Sequence, residues 1–271
     1  MQVKDCVAVL TGAGSGIGRA LANALAQQGC HLALADVNAG ALAETAAELK
    51  SHGVLVSEHV IDLAQRDQIA ALPDQVLAAH GQVDILINNA GVALGGTFEQ
   101  VSTENFDWLM AINFDAVVCM CRAFLPLMKQ RQAARIVNVS SLFGLVTPAT
   151  QTAYCASKFA VRGFSNALRL ELLKTPVGVT VVHPGGVATA IATSARAPEG
   201  VTEAEKEKRL ARSRKLLRMP PPRAAEIILD GILKDKARVL VGNDARIMSW
   251  IERLMPVNYW KLIPTMAEYQ D

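Results

Sequence analysis

The chain contains 271 residues, of which 51% are hydrophobic and 19% are charged. This length can bury a sizeable core, and the composition excludes a mainly disordered chain. Lys and Arg number 27 against 25 Asp and Glu, so the formal net charge is +2. Such a balance argues against a nucleic-acid-binding protein and favours a small molecule or a protein as the partner.

Cysteine usage and the N-terminus bear on the cellular compartment. The five cysteines are widely spread, and only Cys119 and Cys121 lie close together. A C-x-C pair has neither redox-motif nor zinc-site spacing, so we expect free thiols in a reducing compartment. The first residues do not form a signal-peptide pattern, and no window holds the ~20 uninterrupted apolar residues of a spanning helix. We therefore expect a soluble, cytoplasmic protein.

Short apolar runs alternate with helical patterns along the chain. The predicted strands are residues 6–10, 31–36, 54–61, 83–88, 135–139, 177–183 and 239–242. The predicted helices are residues 16–28, 38–51, 64–80, 103–129 and 152–173. Strands that are apolar throughout and separated by helices are typical of a parallel sheet covered on both faces. With right-handed crossovers, the sequence predicts one α/β domain, residues 1–271, built on a doubly wound seven-stranded parallel sheet.

Two stretches interrupt this alternation. Residues 190–222 form an insert with a basic centre, for which we predict a solvated helix on a mobile lid; a phosphate- or membrane-attracting patch is the alternative. The tail, residues 243–271, has apolar residues at helical spacing. They are Ile247, Met248, Trp250, Ile251, Leu254 and Met255. Three interpretations of the tail stay open: a lid over the substrate pocket, an oligomer contact, or a helix on a membrane surface.

A glycine-rich loop follows the first predicted strand. Gly12, Gly16 and Gly18 fit the pattern G-x-x-x-G-x-G rather than the common G-x-G-x-x-G. Glycines in this position permit a tight turn and let the backbone approach a pyrophosphate at the N-terminus of the following helix. The loop, including Ser15 and Ile17, is therefore the candidate cofactor-binding segment.

Asp36 ends the second predicted strand, about twenty residues after the glycine loop. An acidic group in this place can bind the adenosine ribose hydroxyls, and its carboxylate would repel a 2′-phosphate. Ser15 and Val37 bring no positive charge to offset that repulsion, and we expect Arg19 to point elsewhere. The sequence therefore predicts NAD as the cofactor, with NADP disfavoured.

Tyr154 and Lys158 are four residues apart, so on a helix they share one face and are separated by one turn. A phenol has a reference pKa near 10, which is too high for a base at neutral pH. A nearby lysine ammonium and the positive nicotinamide of an oxidised cofactor would lower that pKa. Tyr154 could then take the proton from an alcohol while hydride leaves, or return it in the reverse reaction.

In this combination the sequence resembles the short-chain dehydrogenase/reductase family, from about Val7 to Thr189. The motifs that carry the resemblance are Thr11-Gly12-x-x-x-Gly16-x-Gly18, Asn88-Asn89-Ala90-Gly91, Asn113, Ser141, Tyr154-x-x-x-Lys158 and Pro184-Gly185-x-Val187-x-Thr189. The resemblance implies a Rossmann fold and an NAD(P)-dependent exchange between an alcohol and its carbonyl compound. It also implies a homodimer or homotetramer formed through helices 103–129 and 152–173.

The resemblance also implies residue roles. Ser141, thirteen residues before Tyr154, would orient the substrate oxygen, which leaves Ser140 as a turn residue. Asn113 would hold a water that relays protons from Lys158, and Lys158 would also bind the nicotinamide ribose. The remaining implied cofactor contacts are Asp62 and Leu63 near the adenine, Asn89, Ala90 and Gly91 near the adenosine ribose, and Pro184, Gly185, Val187 and Thr189 near the nicotinamide carboxamide.

The function predicted is hydride transfer between NAD(H) and a secondary alcohol or ketone. The apolar tail favours an apolar substrate, such as a fatty, steroid-like or retinoid-like compound. Catalysis by a metal is not expected, because the five histidines form no ligand-spaced cluster. The alternatives are an NADPH-dependent ketone reductase and a non-catalytic nucleotide-binding sensor on the same fold.

Overall fold

The centre of the fold is a parallel sheet with the strand order β3-β2-β1-β4-β5-β6-β7. The computed structural model describes residues 1–196, 198 and 200–262, without the side chains at 203, 204, 206, 208, 209 and 212. The strands are β1 Val7–Thr11, β2 His31–Asp36, β3 Val56–Val60, β4 Ile85–Asn88, β5 Ala134–Val139, β6 Val177–Pro184 and β7 Arg238–Val241. The predicted doubly wound α/β sheet of seven strands is confirmed.

Helices cover both faces of this sheet. They are α1 Gly16–Gln27, α2 Ala39–Leu49, α3 Arg66–His80, α4 Thr103–Met110, α5 Ala116–Met128, α6 Thr152–Glu171, α7 Glu203–Leu216, α8 Pro221–Leu233 and α9 Asn243–Leu254. Helices α1, α2 and α8 build one core with buried residues such as Leu25 and Ile232. Helices α3, α5 and α6 build the other, around Phe124 and Val161.

Burial explains which strands the sequence located best. The central strands β1 and β4 are buried at every residue, so their sequences are apolar on both faces. Strand β3 lies at the sheet edge and has exposed residues at Glu58 and Val60. It is shorter than the predicted 54–61, and the central β4 likewise begins two residues later than the predicted 83–88.

The predicted helix 103–129 is interrupted in its middle. A π-helical turn, Ala111–Asp115, joins α4 to α5 and contains the buried Asn113. The continuous stretch Thr103–Met128 is long and apolar enough, by length and composition, to cross a membrane, although Asp115 and Arg122 interrupt its apolar run. Its α5 part packs on the sheet through buried Met120 and Phe124, as a core helix does.

The last residues of the predicted insert, 190–222, overlap the start of a further helix. Helix α8 begins at Pro221, where a proline suits the first turn because its missing N–H would have no partner there. No helix is among the predicted elements at this stretch, although buried Ala224, Ile228 and Ile232 recur at helical spacing. The basic centre of the insert does form a helix, α7.

Candidate active site

The predicted site residues collect at one edge of the sheet, where the parallel strands end. The strand order reverses between β1 and β4, which opens a crevice at this edge, as in other doubly wound sheets. Each strand from β1 to β6 is followed by part of the predicted site. These parts are the glycine loop, Asp36, Asp62 with Leu63, Asn89 to Gly91, Ser141, and Pro184 to Thr189.

The glycine loop makes the tight approach that its pattern predicts. Gly16 has φ 54°, and a Cβ on it would lie 2.9 Å from Cγ2 of Thr189. A Cβ on Gly18 would lie 1.9 Å from the carbonyl oxygen of Gly12, so no larger residue fits there. Ser15 precedes α1 and its side chain makes no capping hydrogen bond, which leaves the N–H groups of the first turn available to an anion.

Asp36 is held against the glycine loop by two backbone hydrogen bonds. Its Oδ2 accepts from the Gly14 N–H at 2.8 Å, and its Oδ1 accepts from the Asn38 N–H at 3.0 Å. Arg19 also lies beside the loop: its Nε donates to the Gly14 carbonyl oxygen at 3.1 Å, so the expectation that it points elsewhere is wrong. Its terminal nitrogens pair with Glu44 at 2.9 Å and Glu48 at 3.4 Å on α2.

The segment after β4 links the crevice between β1 and β4 to helix α6. The Asn89 side chain donates to the carbonyl oxygens of Thr11 and Gly12 at 3.0 and 3.1 Å, and so joins the ends of β1 and β4. A Cβ on Gly91 would lie 3.3 Å from Nζ of Lys158. The backbone here therefore passes directly in front of the lysine amine.

Tyr154 and Lys158 lie on one face of α6, as their spacing predicts. Nζ of Lys158 is 5.7 Å from the centre of the Tyr154 ring and donates to the carbonyl oxygen of Val139 at 3.2 Å. Burial lowers the pKa of the Lys158 amine to about 8. Burial also raises the pKa of the Tyr154 phenol to about 12, although the Ser141 hydroxyl opposes the rise. In the protein alone, burial thus outweighs the lowering that the sequence analysis expected of the lysine.

The two serines after β5 have different partners. Ser141 lies near enough to the Tyr154 phenol to lower its pKa against the effect of burial, and its Oγ accepts from the Phe143 N–H at 3.1 Å. Ser140 is buried, and its Oγ donates to the carbonyl oxygen of Lys158 at 2.8 Å. The spacing therefore selects the serine beside the phenol. Ser140 follows β5, as expected, and its side chain also ties this strand to α6.

Asn113 uses its side chain to hold the loop after β4. Its Oδ1 accepts from the Val92 N–H at 2.8 Å, and its Nδ2 donates to the Val92 carbonyl at 3.0 Å and to Oγ of Ser157 at 3.2 Å. Both ends of the amide thus have protein partners. The Asn113 amide therefore positions the backbone of Val92 close to the lysine. The water relay from Lys158 stays a prediction.

Two positioning contacts near Ser141 were missed in the sequence. Nδ1 of buried His183 donates to the Ser141 carbonyl oxygen at 2.9 Å, and burial lowers the pKa of this histidine to about 4. The Tyr259 hydroxyl accepts from the Thr147 N–H at 2.8 Å. Together they fix both ends of segment 141–147. The position of His183 directly before the Pro184-Gly185 motif is the one sequence feature that could have indicated its contact. No feature of the sequence indicates the contact of Tyr259.

The insert covers the loop after β6. Between them is a cavity of about 160 Å³. Its lining residues are Ala188, Thr189, Ala192 and Thr193 of the loop and Leu210, Ser213, Arg214 and Leu217 of the α7 region. A second contact holds the insert down: the Arg196 guanidinium lies 3.5 Å from the centre of the Trp108 ring and donates to Asn105 at 3.0 Å.

The tail has an inner face that touches the site region. Met248, Ile251 and Met255 of the tail pack with Leu142 and Phe143, which directly follow Ser141. This placement agrees with the lid interpretation for the inner face of the tail. Residues 263–271 of the predicted tail lie outside the described residues.

Comparisons with known proteins agree with this geometry. The family model described as short chain dehydrogenase matches residues 6–200. The chain belongs to the short-chain dehydrogenase/reductase family. As a member of this family it is an oxidoreductase on a Rossmann fold. SadH of Mycobacterium tuberculosis is 41% identical over 261 residues, which cover 95% of this chain and 93% of SadH.

Two solved short-chain dehydrogenase/reductase structures show which cofactors such folds bind. One, from Burkholderia phymatum in complex with NAD, is 31% identical with a TM-score of 0.87 and covers 94% of this chain and 95% of that one. A metagenomic short-chain oxidoreductase in complex with NADP is 31% identical with a TM-score of 0.72 and covers 89% and 98%. The family thus uses either dinucleotide, and the choice depends on the residues of each chain.

Proposed function

We propose that this short-chain dehydrogenase/reductase transfers hydride between NAD(H) and an apolar secondary alcohol or ketone. The observation that carries the proposal is the convergence of Ser141, Tyr154 and Lys158 beside the crevice between β1 and β4. A protein that binds a nucleotide without catalysing a reaction would not require this combination of three side chains. When bound, a nicotinamide cofactor would accept or supply the hydride.

The chain itself would bind, orient and move the proton. The Ser141 hydroxyl, beside the phenol, would hydrogen-bond the substrate oxygen and orient it. Tyr154 would take the proton of the alcohol, or return it to the carbonyl compound. The Lys158 amine, largely protonated at pH 7 with a pKa of about 8, would stabilise the phenolate as it forms.

Asp36 supports NAD rather than NADP. Its two carboxylate oxygens are placed by backbone N–H groups at the end of β2, where ribose hydroxyls could donate to them. A 2′-phosphate at the same place would meet a like charge, and Arg19 is engaged with Glu44 and Glu48. The alternative function is that of an NADPH-dependent ketone reductase. Measuring the relative affinity for NADH and NADPH distinguishes the two functions.

We expect Asp36→Ala to relax the cofactor preference. Fluorescence titrations should show that the wild type binds NADH much more tightly than NADPH, and that the substitution lowers this ratio about tenfold or more, because it removes the like-charge repulsion. Asp62→Ala is the matched control, since it changes an acid near the predicted adenine site and should leave the ratio unchanged. A wild type that prefers NADPH contradicts the proposal and favours the reductase. Binding of neither dinucleotide favours a non-enzymatic role.

The surroundings of the phenol support an apolar substrate. The Tyr154 ring packs in a cluster with Leu94, Leu109 and Trp108, and it meets Phe143 edge-on with ring centres 6.1 Å apart. These side chains come from three separate segments that meet at the Tyr154 ring. Apolar side chains here favour a substrate with hydrocarbon substituents on the carbon that carries the alcohol, since burying apolar surface is favourable.

We expect the specificity constant to rise with the apolar length of the substrate. In a series of secondary alcohols, each further methylene that is buried should raise kcat/KM about fourfold until the pocket is filled. Steady-state kinetics with NAD⁺ measures this series. Short polar alcohols that react better than long apolar ones would contradict the apolar-substrate proposal while leaving the cofactor assignment intact.

Two further expectations stay predictions. All five cysteines are free thiols, which suits the cytoplasm that we propose as the location. The homodimer or homotetramer through helices 103–129 and 152–173 would cover Leu170 and Leu173, which are exposed at the end of α6.

A further inference from the structure

The outward face of α9 exposes large apolar side chains. Ile247, Trp250 and Leu254 follow helical spacing along this face, and Val257 continues it beyond the helix. Trp250 is 63% exposed and Leu254 is 75% exposed. Single exposed apolar residues are common on proteins, but a row that includes tryptophan marks an interaction surface.

The opposite face of the same helix is already buried in the fold. Ala245 is fully buried, and Met248, Ile251 and Met255 pack with the segment after Ser141. Among the residues that the structure describes, the outward row has no such cover. Helix α9 is thus apolar on two sides: one side packs in the core, and the other side is exposed.

The ionic groups on the outward side are cationic. Arg246 and Arg253 are exposed beside the apolar row, and the Arg253 guanidinium lies 5.9 Å from the centre of the Trp250 ring. The two acids of α9 lie close to other parts of the protein, although Asp244 is itself exposed. The Asp244 carboxylate accepts from the Gly186 N–H at 2.6 Å, and Glu252 is half-buried close to Arg238.

The end of α7 lies next to the start of α9. The Arg218 N–H donates to the Gly186 carbonyl at 2.9 Å, while the Gly186 N–H donates to Asp244 at the start of α9. Near this junction Lys215, Leu216 and Arg218 are exposed. We call the outward surface of α9 and the residues after it the basic apolar face. It consists of Arg246, Ile247, Trp250, Arg253, Leu254 and Val257.

We propose that the basic apolar face binds an anionic lipid surface, with α9 lying in the plane of the headgroups. Apolar residues that reach below the headgroups, a tryptophan at their level and flanking arginines are the features of interfacial helices. Each arginine near an anionic leaflet also gains favourable electrostatic energy.

A second copy of the chain fits this face less well. A symmetric contact would place the same patch on both sides, so both halves of the interface would carry the positive charges of Arg246 and Arg253. Like charges facing each other in an interface oppose association. An anionic bilayer offers the opposite charge and an apolar interior at once. This binding does not depend on the proposed dehydrogenase activity.

Vesicle binding of the full chain tests the proposal. We expect co-sedimentation and a blue shift of tryptophan fluorescence with phosphatidylcholine vesicles that contain about 30% phosphatidylglycerol, and little binding to pure phosphatidylcholine. The double variant Trp250→Ser/Leu254→Ser should lower the apparent affinity more than about tenfold. Arg246→Gln/Arg253→Gln should lower it about fivefold for each charge and weaken its salt dependence.

Leu55→Ser is the matched control. Leu55 is also exposed, at 60%, but precedes β3 at the opposite edge of the sheet, so its substitution should leave vesicle binding unchanged. Circular dichroism checks that every variant is folded. Failure of the folded wild type to bind anionic vesicles overturns the proposal, as does unchanged binding by Trp250→Ser/Leu254→Ser. If the wild type does not bind vesicles but forms an oligomer that Trp250→Ser/Leu254→Ser dissociates, the face binds a second copy of the chain. If the wild type binds poly-glutamate and not vesicles, the face binds an acidic protein.

Discussion

Tyr154→Phe is expected to lower kcat for alcohol oxidation by about 10²–10⁴-fold, the range of a positioned general acid or base. The substitution keeps the ring that packs edge-on against Phe143 and removes only the hydroxyl beside Ser141. The geometry of the pocket should therefore persist while the proton has no acceptor. Stopped-flow or steady-state kinetics at saturating substrate measures the loss.

Binding measurements separate this chemical effect from damage to the fold. NADH titrations should give the same affinity for Tyr154→Phe as for the wild type. Cys155→Ala is the matched control, because Cys155 is the buried neighbour on the same helix to which no role is assigned, and its kcat should stay close to that of the wild type. A Tyr154→Phe enzyme that keeps more than about a tenth of the wild-type kcat would rule out Tyr154 as the proton-transferring group.

Lys158→Met is expected to abolish turnover and, at pH 7, to stabilise the fold. The amine is buried, and its pKa of about 8 lies below the 10.5 of an exposed lysine, so the folded state carries this charge at a cost. Methionine has a similar length without the charge. The variant also loses the hydrogen bond to the Val139 carbonyl, which offsets part of this stabilisation. We therefore expect the free energy of unfolding to increase by about 1–3 kcal/mol.

The pH dependence of that gain has a definite sign. Between the folded pKa of about 8 and the unfolded value of 10.5, the unfolded wild type binds more protons than the folded one. Wild-type stability relative to Lys158→Met therefore rises with pH across this window, and the advantage of methionine is full below pH 8 and fades towards 10.5. The buried thiols and the Tyr154 phenol titrate in both proteins, so the difference between the two isolates the lysine.

Urea unfolding of both proteins at about pH 7 and pH 9 measures this difference. Lys158→Arg is the control, because it keeps the charge, should not stabilise the protein, and should not restore full turnover with its larger planar head. A Lys158→Met protein that is less stable than the wild type at pH 7 would show that the buried charge is well compensated. Retained turnover would remove Lys158 from the proposed mechanism.

The features that sequence could predict are local ones. Apolar runs located the central strands because β1 and β4 are buried on both faces, and β2 was placed at 31–36 as observed. The four-residue spacing of Tyr154 and Lys158 and the glycine pattern could be interpreted directly, because helix periodicity and backbone geometry act over a few residues. The π-helical turn at Asn113 escaped prediction, since it depends on hydrogen bonds with Val92 and Ser157.

The sequence by itself thus determined the family, the order of the seven strands, and the residue types at the carboxyl edge of the sheet. Only the tertiary structure decided what surrounds them. His183 meets Ser141 across 42 residues and Tyr259 meets Thr147 across 112, because neighbouring strands and the tail return to one edge. Burial, which is a property of the packed whole, sets the pKa of Lys158 and Tyr154. The same packing decides which side of α9 is used by the core and which side faces outward with its arginines, since a helical pattern marks the faces of a helix but not their partners.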